Sequence, residues 1–209
     1  MLFVHIADTL SDYRKAQKAA ELEKELSELN ITLMISQIQP HFIFNTLNTI
    51  YALIAVKPEQ AQKAVHELSG MMRYALYDTS EMVTLKQEID FLNNFISLMR
   101  MRMNEKRPIE ASLSCNSYCD YKVAPLIFIP IVENVFKYGN TGNTSLPIKI
   151  DISVNDGIVR CYTFNHFDKN NHIDKKDSGI GFANLKRRLK IIYGKDASFS
   201  VIQQDDTFQ

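Results

Sequence analysis

Four polar side chains recur along one potential helical face in the first half of the chain: Gln37, His41, Asn45 and Asn48, at i, i+4, i+8 and i+11. Their neighbours Ile38, Phe42, Ile43, Phe44 and Leu47 are apolar, so a polar stripe centred on one histidine needs a reason. One reason is plain: a core histidine satisfied by Asn45. The other is chemical, because neutral imidazole, with an unperturbed pKa of about 6.5, is a nucleophile near neutrality. Phe42 directly follows the histidine, so no acidic neighbour stands there as its base. Asn45 can orient a ring nitrogen or a water but cannot take a proton.

Two further clusters lie in the second half. Glu133, Asn134, Lys137 and Tyr138 sit where an apolar segment meets Gly139. Glu133 and Lys137 at i, i+4 read most simply as a helix-end ion pair. Asn134 does not fit that reading, since an amide within an apolar helix needs partners. Gly179-Ile180-Gly181 then precedes Asn184, Arg187 and Arg188. A lone Gly-x-Gly is weak evidence, but ahead of a helix it lets backbone N–H groups approach a phosphate at the positive helix end. The two arginines read otherwise as a solvated helix face.

The elements that must position these groups follow from periodicity. Ala19, Leu22, Leu26, Leu29 and Leu33 are spaced 3, 4, 3 and 4, a heptad seam that predicts a helix paired with a second copy. The helical pattern continues through residue 54, interrupted at Pro40, where a helix start or a kink is required. Lys57-Pro58-Glu59 predicts a turn with proline opening the next helix, whose apolar face is Ala61, Val65, Leu68, Met72 and Ala75. Together these make a helical hairpin over 31–78. Thr84 with Gln87 suits a capping box, ahead of a stripe of Leu85, Ile89, Leu92, Ile96, Met99 and Met103. Beyond Pro108 the texture changes. Residues 109–113 alternate as a strand, 125–138 form a buried helix, and 147–154 and 158–164 are strands joined by Asn155-Asp156-Gly157. A polar stretch over 168–177 leads to a helix over 182–193, and 197–203 starts a strand with no clear closing partner. The fold class is α+β: a dimerising helical hairpin, then an α/β sandwich with helices on one face of a mixed sheet. Its domains are a linker coiled-coil helix over 1–30, a hairpin over 31–79 and a sandwich over 80–209, the last read as cut short at its final strands.

The run Gln37-Ile38-Gln39-Pro40-His41-Phe42-Ile43-Phe44-Asn45 closely resembles the phosphoacceptor motif of the LytS-like sensor histidine kinases. That resemblance implies that His41 is the residue phosphorylated and that Pro40 kinks its helix. Glu133-Asn134-Val135-Phe136-Lys137-Tyr138 resembles the N box of the gyrase-type ATP-binding domain that histidine kinases share. It implies that Asn134 holds Mg²⁺ bridging the phosphates of ATP, that Glu133 supports metal or water, and that Lys137 and Tyr138 face nucleotide. Gly179, Gly181 and Asn184 look like the family's glycine box, with Arg188-Leu189 and Tyr193-Gly194 matching the LytS-like branch, which implies that Gly179, Gly181, Asn184 and Arg188 contact the nucleotide. The stretch 168–177 would be the lid over ATP. Where the family has an Asp-x-Gly-x-Gly, this chain has Phe164-Asn165-His166-Phe167-Asp168, so Asn165 takes the adenine-reading position without charge or glycines. The resemblance covers about 31–200. It implies autophosphorylation, transfer to the aspartate of a response regulator (by family analogy a LytTR-type one), a homodimer, and a cytoplasmic portion tethered to a membrane through a region preceding residue 1. The rival reading is a dimeric ATP-binding scaffold, or degenerate kinase, that regulates a partner without autophosphorylation.

Composition narrows the field. Lys plus Arg and Asp plus Glu each number 24 in 209 residues, so net charge is zero and bulk capture of nucleic acid is disfavoured. At 45% hydrophobic the chain can bury real cores. Three cysteines argue against a disulfide framework, and Cys115 and Cys119 read as ordinary thiols.

Overall fold

The computed structural model describes residues 17–18, 40–77, 82–103, 108–139, 146–166 and 175–209. The heptad seam, Gln37, any kink ahead of Pro40, the polar break at 78–81 and most of the expected lid lie outside the described residues. Helix α1 (Pro40–Val56) and helix α2 (Pro58–Tyr77) form the hairpin, with Lys57 alone between them. Lys57 closes the turn from both sides: its N–H donates to Leu53 O at 2.7 Å and its carbonyl accepts from Gln60 and Ala61. Helix α1 buries Phe42, Thr46 and Ile50, one residue per turn. On α2 the buried stripe is Ala61, Ala64, Leu68, Met71 and Ala75. That differs from the expected stripe, because Val65 is exposed and Met72 only partly covered. Both stripes have helical spacing. The small Ala64, which lets neighbouring helices approach closely, takes the inward position instead of the branched valine.

Strand β1 (Val83–Thr84) leads into helix α3 (Leu85–Arg102) through the predicted capping box: Thr84 accepts from the Gln87 N–H, and the Gln87 side chain accepts from the Thr84 N–H at 2.8 Å. Helix α3 is buried on almost every side, because it packs on the hairpin and faces the second half of the chain as well. Strand β2 (Ile109–Leu113) is followed by a single tight turn, Asn116–Tyr118, and strand β3 (Lys122–Val123), which pairs antiparallel with β1. That turn brings the Cα atoms of Cys115 and Cys119 to 4.8 Å, and their sulfurs are joined in a disulfide, so the reading of two separate thiols is corrected.

Helix α4 (Ile129–Gly139) begins four residues later than the apolar run predicts. Leu126 takes a left-handed φ of 55°, which a continuing helix cannot accommodate. Strands β4 (Ile148–Asn155) and β5 (Ile158–His166) form the predicted hairpin. Positive φ at Asp156 and Gly157 gives the turn whose twist matches such strands. Helix α5 (Lys175–Tyr193) starts seven residues before the predicted helix, so Gly179 and Gly181 lie inside it rather than in a loop ahead of it. Glycine opposes this by only about 1 kcal/mol each. The chain then forms strands β6 (Gln203–Gln204) and β7 (Thr207–Phe208), not a strand over 197–203. β7 pairs with the Asn165–His166 end of β5, so these last residues do find a partner in the sheet. The sheet order is β2-β4-β5-β7-β6, with β2 parallel to β4 and the remaining pairs antiparallel. The fold is thus α+β, with a mixed sheet whose inward Ile148, Ile150, Ile152 and Val154 are buried in the core.

Candidate functional site

His41 is exposed in the first turn of α1, and the next side chain, Phe42, is buried. The Phe42 ring packs on Phe95 of α3 at 4.8 Å, and Phe95 packs on Phe136 of α4 at 5.8 Å. Arg102 also lies over the Phe42 ring. The position after His41 therefore anchors the helix in the core, which gives a physical reason for an aromatic there instead of an acid. The Asn45 amide nitrogen lies 3.2 Å from His41 Nδ1 and 3.0 Å from Nε2, so it can donate to whichever ring nitrogen carries the lone pair. This is the pairing expected from i, i+4 spacing, with the histidine facing out rather than into a core.

The nucleotide-type residues collect around the end of α4. The helix buries Ile129, Val132, Val135, Phe136 and Gly139, while Glu133, Asn134 and Tyr138 are half-buried and Lys137 is exposed. Burial pushes the Glu133 carboxyl up to about 7, with Lys137 pulling the other way. A Cβ on Gly139 would lie 3.1 Å from Ile148 and 3.2 Å from Asn165. The glycine thus lets the end of α4 press onto β4 and β5 beside Asn165. Asn165 is fully buried. Its Nδ2 reaches the His166 carbonyl at 3.4 Å, whereas its Oδ1 has no hydrogen-bond partner among the described residues. A buried amide oxygen left as an acceptor fits a donor such as the amino group of adenine.

The remaining predicted residues lie on α5. Among the described residues Gly181 has no atom within 4 Å of a Cβ added to it, and Asn184 is exposed. Gly179 takes helical backbone. Arg188 turns inward and donates to the Pro125 carbonyl at 2.6 Å. Burial lowers its pKa, opposed first by the nearby Glu88 carboxylate.

Glu88 and Tyr74 escaped the sequence reading. Glu88 is completely buried on α3; its Oε1 accepts from the Tyr74 hydroxyl of α2 and from the Leu126 N–H at 2.5 Å. Burial raises its pKa, while Tyr74, the Leu126 and Phe128 backbone and Arg188 act in the opposite direction. A signal was present: Glu88 shares a helical face with Leu85, Phe91, Leu92 and Phe95, where a charge needs partners.

Residues 29–107 match the family model described as histidine kinase. The chain is also similar to the sensor protein kinase HptS of Staphylococcus aureus strains USA300 and NCTC 8325 / PS 47, being 29% identical to each over 166 residues. The match covers 78% of this chain and 29% of the relative, so the chain spans under a third of the length of the curated relatives it matches. Among the described residues no helix is long and apolar enough to cross a membrane.

Proposed function

From the premise that the chain is kin to the LytS-like sensor histidine kinases, we propose that it phosphorylates itself on His41 from ATP and passes the phosphoryl group to a response-regulator aspartate. The observation that carries this reading is the exposed His41 ring with the Asn45 amide against it, on a helix anchored by the buried Phe42. A ring nitrogen forms a bond to the γ-phosphorus of ATP, the bond from that phosphorus to the bridging oxygen breaks, and ADP leaves. The ring proton is lost to solvent at this exposed position.

Asn165 accepts from the adenine amino group in this reading, which fits its unpartnered Oδ1. Lys137, Tyr138, Gly179, Gly181 and Asn184 face the nucleotide, and Asn134, with Glu133 beside it, holds Mg²⁺. The ion would neutralise charge on the phosphates as the bond breaks. Phe44, Leu47, Tyr51 and Ile54 leave an apolar face of α1 exposed, Tyr51 at 79%, and a second copy of the hairpin covers it. The LytTR type of the regulator and attachment to a membrane rest on family analogy alone.

A dimeric ATP-binding scaffold is the second reading, favoured by the buried aromatic at the position after His41. Incubation with γ-labelled ATP and Mg²⁺ separates the two. Acid-labile, alkali-stable label in the native chain and none in His41→Gln is the expected result. ATP binding without any label would instead establish the scaffold.

A further inference from the structure

Between the hairpin and the sheet, residues 124–128 run through the core before α4 begins. Ala124, Pro125, Leu126 and Ile127 are all buried, so the polar groups of this backbone must find partners inside the protein. Side chains from two helices, α3 and α5, supply them. The Ala124 N–H donates to the Tyr193 hydroxyl of α5 at 2.7 Å. The Pro125 carbonyl accepts from Arg188 of α5 at 2.6 Å. The Leu126 N–H donates to Glu88 of α3 at 2.5 Å, and Phe128 adds a further backbone interaction with that carboxylate. Leu126 holds a left-handed φ of 55°, a conformation that costs on the order of 1–2 kcal/mol for such a residue and persists where its surroundings fix it. Glu88 is the group that fixes it.

The same oxygen of Glu88 accepts from the Tyr74 hydroxyl, which belongs to the hairpin. One fully buried carboxylate therefore joins α2, the strained start of α4 and, through attraction, Arg188 two turns beyond Gly181. A loss of packing alone would not call for a charge at this point; an apolar side chain could fill the volume. A buried carboxyl instead makes the positions of three elements depend on one another, because moving any of them away leaves another of its hydrogen-bonding groups unpaired inside the protein.

We propose that Glu88 is a positioning residue that couples the histidine hairpin to the nucleotide helix, with Tyr74 its contact on the hairpin and Arg188 its partner beside the glycine box. It rests on the nucleotide reading above for what is being coupled. Arg188 then acts through Glu88 and Pro125 rather than as a direct nucleotide ligand. Coupling of this kind is reciprocal: whatever the nucleotide does to the hairpin, the hairpin does to nucleotide affinity.

Hydrogen exchange on the full chain tests this, with and without saturating Mg²⁺ and a non-hydrolysable ATP analogue. Tyr74→Phe is the variant of choice, since it removes only the hydroxyl and keeps the ring against Phe91. In the native chain the analogue slows exchange over 40–77, on an element that does not supply the nucleotide's proposed ligands. In Tyr74→Phe the analogue still binds, its Kd changed by roughly tenfold or less, about the worth of one charge-assisted hydrogen bond. The slowing over 40–77 is lost, however, while 129–139 stay protected. A purely structural role would weaken both regions without regard to nucleotide. Retention of the nucleotide-dependent slowing in Tyr74→Phe overturns the coupling. Failure of the native chain to bind the analogue overturns the nucleotide reading instead. The proposal is then judged without nucleotide, where Tyr74→Phe must speed exchange over 40–77 by about tenfold relative to 148–166. Equal change in both segments would refute it. Glu88→Gln, which keeps the volume and loses the charge, should reproduce the Tyr74→Phe pattern.

Discussion

His41 stands exposed on α1 with its partner Asn45 one turn along the same helix, whereas Asn165 is sealed in β5 beneath the end of α4. The first arrangement needs one helix and an anchor. The second needs a strand, a glycine that lets a helix come close, and a sheet to hold both. An exposed polar ring is displayed at little cost, since water satisfies it. A buried amide is shut off from water, and an acceptor there without a partner carries a cost that a bound donor would relieve.

The anchor is where the first arrangement is most easily broken. Phe42→Ala should lower unfolding free energy by about 3–5 kcal/mol, as removal of a buried aromatic does. Phe44→Ala, two residues on and exposed, should leave monomer stability within about 0.5 kcal/mol and weaken self-association instead. Urea unfolding with equilibrium sedimentation checks both. Equal losses of stability would mean that α1 is not docked through the Phe42–Phe95 contact.

Asn165→Leu sharpens the second arrangement, because the two readouts should move in opposite senses. Leucine removes a buried amide whose Oδ1 has no partner among the described residues, so unfolding free energy should hold or rise. Affinity for an adenine nucleotide should nonetheless fall by about ten- to a hundredfold, the worth of a desolvated hydrogen bond of roughly 1–3 kcal/mol. Guanine nucleotides, which present a carbonyl there, should lose little. Parallel loss of stability and affinity would make Asn165 a framework residue.

The contrast between these regions also governs how much could be read in advance. Local features were legible: the hairpin over α1 and α2, the Thr84–Gln87 capping box, the His41–Asn45 pairing and the Asn155-Asp156-Gly157 turn each depend on residues a few positions apart. Asn165 was reachable by resemblance, but its burial was not. Features set by distant partners were missed. Helix α4 starts late because Leu126 is held by Glu88, 38 residues earlier. Arg188, expected by resemblance to contact the nucleotide, turns inward to Pro125, 63 residues earlier. The inward face of α2 was read correctly at Ala61, Leu68 and Ala75 but not at Val65 and Met72, because two helical stripes fit its sequence and only contact with α1 and α3 chooses between them. The Cys115–Cys119 closure depended on a tight turn that composition does not announce.

Glu133 lies between the two extremes, half-buried on the helix that carries Asn134, and it should give the smallest and most sign-specific effect. Burial raises its folded-state pKa from 4.5 to about 7, Lys137 offsetting part of the rise. In the unfolded chain the carboxyl ionises near its ordinary value. Between about pH 4.5 and 7 the folded state therefore holds more protons than the unfolded one, and stability falls as pH rises through that window. Above pH 7 both states are ionised and the contribution levels off. Glu133→Gln cannot ionise, so urea midpoints of native and variant chains should converge near pH 4.5 and separate towards pH 7, with the variant more stable. Solvent reaches part of this carboxyl and screens it, so the separation should be well below that caused by Phe42→Ala. If the two midpoints ran parallel across that range, Glu133 would be ionised throughout. Its side chain would then belong with the open, water-satisfied face of His41 and not with the dry site around Asn165.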